Sequence, residues 1–291
     1  MKSIVECMTE PLALVGESPL FLAEHETILW VDLLSGVLFS TDATTGATSK
    51  SEFQGSALGP PRRTVHGEIV LVVDRDLWNL GSPGSGVRSH LATFAIDAGL
   101  RPNDGACDAS GRFWVGYKRS DGSADGILVT LIDPAAPAMV MSNLELPNGL
   151  AFAGDGESAF FVDSLKRTIY RIERLGDSSG PSVAPWVITP KEYGLPDGIA
   201  LDDEGGLWVA MWGGGVVLRY GPDGQIAGEL RIPVSLVTAV CFGTHGELYI
   251  TTSRFDLDST EQPQAGALFR AQTSFHGAPI FDFDPESLST G

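Results

Sequence analysis

Apolar residues along this chain gather in short runs, each closed by a tight turn, and the runs recur at a nearly fixed interval. The clearest are Ile28–Val31, Ile69–Val73, Ala159–Val162, Leu207–Ala210 and Leu248–Thr251. Asp108-Ala-Ser-Gly111, Asp155-Gly156, Asp203-Glu-Gly205 and Pro222-Asp-Gly224 punctuate them as turns. No long segment carries an apolar stripe of helical period, so the elements are strands. Each repeat reads as a polar residue, an apolar strand, a turn, and a second strand ending in a bulky anchor. The anchors are Trp30, Val72, Trp114, Phe161, Trp208 and Tyr249, spaced by 42, 42, 47, 47 and 41 residues. A period in the forties built from short strands predicts an all-β, six-bladed β-propeller with four-stranded blades around a central channel. Residues 1–291 are expected to form one such unit.

The first residue of each repeat carries the chemistry. Counting back from the anchors gives Glu17, Asn103, Asn148, Asp197 and Thr238, while the second repeat, around Pro60-Pro61-Arg62-Arg63, offers no obvious ligand. Equivalent positions in a radial array face the same axis. Two carboxylates, two carboxamides and a hydroxyl are therefore expected to converge on the channel.

A ring must also close, or its first and last blades expose sheet edges. The strand-like run Ser3–Met8 is expected to pair with the final blade, which Gly266–Gln272 and Pro279–Phe283 would complete. The Gly-rich stretches Gly81–Arg88 and Gly176–Pro185 read as connections between blades.

Composition narrows the partners. With 19 Lys and Arg against 37 Asp and Glu, the formal charge is −18. That disfavours nucleic acid and anionic membranes and leaves a small molecule as the expected partner. Monomer and small homo-oligomer remain equally open. The N-terminal MKSIVECMTEP lacks a signal-peptide apolar core, and Ile69–Val73 is too short to span a bilayer. Cys7, Cys107 and Cys241 show no metal-ligand spacing and are odd in number, so free thiols and a cytoplasmic location are expected. Nucleophile chemistry is poorly supported: no GxSxG or HExxH occurs, and none of the five histidines sits at an axial position. Trp114 and Trp208 read as blade core. Trp212, beside Gly213-Gly-Gly215, reads equally as core or as site lining.

Taken in order, several segments resemble the gluconolactonase, regucalcin (senescence marker protein 30) and luciferin-regenerating enzyme superfamily. They are Gly16-Glu17-Ser18-Pro19; Arg101-Pro-Asn-Asp104 with Asp108-Ala-Ser-Gly-Arg-Phe-Trp114; Pro147-Asn148-Gly149-Leu150 with Asp163-Ser164; Pro196-Asp197-Gly198 through Trp208-Val-Ala-Met-Trp212-Gly-Gly214; Thr238-Ala-Val-Cys-Phe-Gly243 with Leu248-Tyr-Ile-Thr-Thr-Ser253; and Gly266-Ala-Leu-Phe269. The resemblance spans nearly the whole chain. Phe21 departs from it, standing where the family more often has a larger ring.

The resemblance implies metal ligands at Glu17, Asn148 and Asp197, three of the converging residues. Such hard oxygen donors suit one divalent ion, with Ca²⁺ the leading reading and Mg²⁺, Mn²⁺ or Zn²⁺ as alternatives. It also implies substrate contacts from Arg101 and Asn103. Asp104 either meets a substrate hydroxyl or orients Arg101. The implied reaction is hydrolysis of a sugar lactone such as gluconolactone to its open-chain acid, with Asp197 or a metal-bound hydroxide handling the proton. Hydrolysis of an aliphatic lactone or a phosphotriester, and a non-enzymatic calcium-binding regulator, are the competing readings. Loops Lys118–Asp125 and Arg254–Gln264 are expected to shape specificity.

Overall fold

The computed structural model describes residues 4–53, 56–176 and 180–288. Six four-stranded antiparallel sheets are arranged as blades around a channel. Their innermost strands are Gly16–Leu22, Leu58–Arg63, Leu100–Cys107, Pro147–Phe152, Leu195–Leu201 and Val237–Phe242. These define blades 1 to 6 in chain order. The five apolar runs lie in second strands, and in Ile69–Val73 every residue is buried. Helix is limited to three single 3-10 turns among the described residues, and no helix is long and apolar enough to cross a membrane.

Closure follows the expectation. Val5–Cys7 is the outermost strand of blade 6, pairing Val5 with Ala271, Glu6 with Arg270 and Cys7 with Phe269. Glu6 Oε2 also accepts a charge-assisted hydrogen bond from Arg270 Nη2 at 2.7 Å. Ser3 lies outside the described residues.

The core is distributed over the joints between blades, each joint holding its own apolar cluster. Trp30, Phe39, Tyr249 and Leu268, for example, lock blade 6 to blade 1. Trp114 and Trp208 are blade core as expected. Each donates its indole N–H to a buried carboxylate six residues earlier, Asp108 and Asp202 respectively, at 2.8 Å. The same aspartates accept backbone N–H groups across the turn, Ser110 at 2.9 Å in one and Gly206 at 2.7 Å in the other. The recurring Asp-to-Trp spacing is therefore a structural clasp.

Two expectations are corrected. Gly81–Arg88 and Gly176–Pro185 do not connect blades; each joins the third strand to the outermost strand within a blade. Residues 177–179 of the second loop lie outside the described residues. Nor does Pro279–Phe283 complete the last blade. The segment after Gln272 instead runs across the channel end where the inner strands finish, with backbone bonds to Leu201, Arg63 and Gly111. Phe283 is fully buried in the cluster between blades 2 and 3, so aromatic anchoring outweighs strand pairing here.

Each inner strand carries a register break at the same place. In blade 3 it falls between Pro102 and Gly105, in blade 4 between Pro147 and Leu150, and in blade 5 between Pro196 and Ile199. Blades 1, 2 and 6 break at Glu17/Leu20, Leu58/Pro61 and Val237/Ala239. Such bulges re-aim side chains, and in blades 1, 3, 4 and 5 the polar residue beside the bulge lines the channel. The glycine that follows is dictated by crowding. A Cβ on Gly198 would sit 2.4 Å from Ala239 Cβ, and one on Gly149 would sit 2.6 Å from the Asp197 carbonyl oxygen.

Gly198→Ala is accordingly expected to lower stability by about 1–3 kcal/mol, the usual cost of overpacking. Gly176→Ala, where a Cβ meets nothing within 4 Å, is expected to stay within about 0.5 kcal/mol. Urea unfolding of both variants checks this; equal stabilities would remove inter-blade crowding as the reason for the glycine.

Candidate functional site

The inner strands run in one sense along the channel, and their two halves face different cavities. The entry halves line a cavity of about 210 Å³ that contains Glu17, Arg101, Asn103, Lys118, Asn148, Ser164, Asp197 and Trp212. The exit halves line a larger cavity of about 350 Å³, mostly apolar and bounded by the C-terminal segment. Polar residues with catalytic potential concentrate in the smaller one.

Glu17, Asn103, Asn148 and Asp197 form its floor, each only 5–6% exposed. Asn103 Nδ2 donates to the Pro147 carbonyl at 2.8 Å and also to Asn148 Oδ1, tying blade 3 to blade 4. Asn148 Nδ2 donates to Ser164 Oγ at 2.7 Å, which fixes the carboxamide at the cavity wall. Glu17 Oε2 accepts the Ser18 N–H at 3.1 Å. Ser18 is held in the left-handed region at φ 50°, a conformation costing a non-glycine residue about 1–2 kcal/mol. That strain lies at the blade 1 bulge, beside the carboxylate it orients.

The electrostatics make two bare carboxylates costly here. Burial and the neighbouring Asp197 and Asp104 charges raise the Glu17 carboxyl well above its ordinary range. Burial and Asp104 do the same for Asp197, partly offset by Lys118. Asp197 Oδ1 is buried and accepts no hydrogen bond, an arrangement proteins rarely leave uncompensated. No group of three or more His, Cys, Asp or Glu side chains placed to hold a metal occurs among the described residues. The donor set here is instead two carboxylates supplemented by a carboxamide oxygen. Glu17, Asn148 and Asp197 would together offer a hard divalent cation oxygens and neutralising charge.

Three residues read differently in place. Thr238 does not face the cavity: its hydroxyl is fully buried, donating to the Gly16 carbonyl at 2.6 Å and lying 2.8 Å from Thr251 Oγ1, and so joins blade 6 to blade 1. Asp104 faces the larger cavity, because successive strand residues point to opposite sides. There it meets Ser18 Oγ at 3.4 Å and Arg62 at 3.9 Å. Its placement favours holding those groups over contacting a substrate or orienting Arg101. The second repeat, which lacked a ligand in sequence, contributes that Arg62 from below the site.

Arg101 and Trp212 line the smaller cavity, and Phe255 of the Arg254–Gln264 loop closes its side. Lys118 was named only as the first residue of a specificity loop. It stands on a strand, Phe113–Arg119, and enters the cavity itself. The strand register, which sets it opposite Arg101, is what reveals it.

Comparison with known proteins identifies the family. Residues 15–254 match the family model described as the SMP-30/gluconolactonase/LRE-like region. The chain belongs to the SMP-30/gluconolactonase/LRE-like family. Among curated members, it is 32% identical to pentonolactonase XacC of Haloferax volcanii, covering 93% of this chain and 94% of that one. It is 30% identical to the 6-deoxy-6-sulfogluconolactonase of Pseudomonas putida, over 97% and 99% of the two chains. The crystal structure of a calcium-binding protein, regucalcin, from Agrobacterium tumefaciens superposes with a TM-score of 0.86 at 24% identity, covering 97% of both chains. That last likeness shows the fold.

A pH dependence follows from the raised carboxyls. A carboxyl whose folded pKa exceeds its unfolded value loses folded-state stability as pH rises through the interval between the two. Divalent binding requires both groups ionised. The chelated protein is expected to lose thermal stability as pH rises above the ordinary carboxylate range, while Ca²⁺ protection grows over the same interval. At a hundredfold excess over Kd that protection is about 2.7 kcal/mol. Calorimetry with chelator and with Ca²⁺ measures it; protection independent of pH would contradict the coupling.

Proposed function

We propose that this chain hydrolyses sugar lactones in the smaller cavity, using one divalent cation held by Glu17, Asn148 and Asp197. The observation that carries the reading is Asp197. It is a buried carboxylate with an unpartnered oxygen, set among hard donors in a cavity sized for a sugar ring. The names of the curated relatives, a pentonolactonase and a sulfogluconolactonase, support the same substrate class. Ca²⁺ is the favoured ion, because the oxygen-only donor set suits a hard cation and a regucalcin of this fold is described as calcium-binding.

When bound, the cation supplies Lewis acidity toward the lactone carbonyl. The protein's own groups do the rest. Arg101 presents a guanidinium fork to ring oxygens, and Asn103 holds the floor rigid through its bonds to blade 4. Leu34, Leu146, Trp212 and Phe255 narrow the mouth and limit bulk water. The carboxylate oxygen of Asp197 that would not be engaged by the cation accepts the proton of the attacking water. Breakage of the ring C–O bond then returns that proton to the departing oxygen, leaving a carboxylic acid and a free hydroxyl.

Asp197→Asn keeps the shape and an oxygen donor but removes the proton acceptor. At saturating Ca²⁺ it is expected to lower kcat on glucono-1,5-lactone by about 10²–10⁴-fold, the usual contribution of a general base. Asp197→Ala is expected to lose Ca²⁺ binding as well, read by titration calorimetry. Near-normal turnover by the Asn variant would shift the proton to a metal-bound hydroxide. Ca²⁺ binding without turnover of any lactone would instead favour the regulator reading.

A further inference from the structure

Arg101 and Lys118 are direct cross-strand partners in the first two strands of blade 3, which sets both side chains on one face of that sheet. Like charges at directly opposed positions destabilise a sheet, and this pair is largely removed from water. Burial first, and Arg101 second, depress the Lys118 ammonium to about 8. Arg101 Nη1 is buried without a hydrogen-bond partner. Lys118 makes no hydrogen bond or ion pair with any described residue. Neither cation is tied down by a hydrogen bond among the described residues; both line the cavity of Glu17 and Asp197, whose charges they partly offset while the site is empty.

Resting on the lactonase reading above, the charge balance of the loaded site points outward. A divalent cation cancels the Glu17 and Asp197 charges, leaving two positive charges on one wall. An Arg fork alone suffices for hydroxyls and ring oxygens. A compact ammonium beside it is matched by a full negative charge.

We propose that Lys118, acting with Arg101 across the strands, selects lactones whose ring bears a permanently anionic substituent: a sulfonate, a phosphate or a carboxylate. One anion bridging both cations relieves their repulsion and gains charge-assisted hydrogen bonds, so the unfavourable pairing in the empty cavity becomes selectivity in the filled one. Lys118 is thus a specificity-determining residue, distinct from the cation ligands and from the proton acceptor.

The test compares wild type, Lys118→Gln and Lys118→Arg at saturating Ca²⁺. The substrates are glucono-1,5-lactone, its 6-phospho and 6-deoxy-6-sulfo analogues, and a glucarolactone; the three anionic arms identify which anion fits. Wild type is expected to favour at least one anionic lactone in kcat/KM by about tenfold or more, the scale of a hydrogen bond to a charged group. Lys118→Gln is expected to erase that preference mainly through KM, and Lys118→Arg to retain most of it. Equal or better turnover of the neutral lactone by wild type overturns the proposal, as does a loss in Lys118→Gln that is uniform across all four substrates. A protein inactive on every lactone contradicts the parent reading but leaves binding to decide. Thermal protection by 6-phosphogluconate beyond that by gluconate, abolished in Lys118→Gln, supports the anion site. Equal protection by the two assigns the pair to the carboxylate that hydrolysis releases, and overturns it.

Discussion

Six inner strands converge on one axis, and the crowding they create is the constraint on which the rest of the molecule depends. Strands that approach so closely cannot all carry side chains at the point of nearest contact. A bulge recurs in all six inner strands; in blades 1, 3, 4 and 5 a polar residue beside it lines the site cavity, and in blades 4 and 5 a glycine packs against the next blade. The position that steric crowding reserves for glycine is thus the neighbour of the position that carries the chemistry. In blade 2 the break falls at Gly59-Pro60, and that sector of the floor has no ligand.

The same geometry stores electrostatic cost. Glu17 and Asp197 are nearly dry, repel one another and are raised in proton affinity. A left-handed Ser18 and an unbonded Asp197 oxygen add to the strain. The ring tolerates this because its stability comes from elsewhere. The apolar clusters joining blades 2 and 3 and blades 6 and 1, the aspartate–tryptophan clasps and the N-terminal strand completing blade 6 use none of the residues that line the site cavity.

The fold was legible because propeller strands announce themselves by period: Trp30, Trp114, Phe161, Trp208 and Tyr249 are all buried anchors of second strands. Glu17, Asn103, Asn148 and Asp197 were legible because equivalent repeat positions must share an axis, and they do line one cavity. Thr238 misled because a hydroxyl can be consumed by neighbouring oxygens, which sequence position does not reveal. Asp104 misled because one step along a strand reverses the face. Lys118 lies outside the repeat logic altogether. It is visible only once the strand register sets it against Arg101. The path of the C-terminal segment depended on where Phe283 could be buried, a tertiary question that no local pattern answers.

The central claim is that the bulged inner strands assemble a hard-cation site from Glu17, Asn148 and Asp197. A crystal structure of the Ca²⁺-loaded protein tests it most directly. The account requires an ion on the channel axis with one side-chain oxygen from each of the three residues within about 2.3–2.6 Å. An ion held elsewhere, or a saturating Ca²⁺ soak that leaves Asp197 Oδ1 without a ligand, would contradict it.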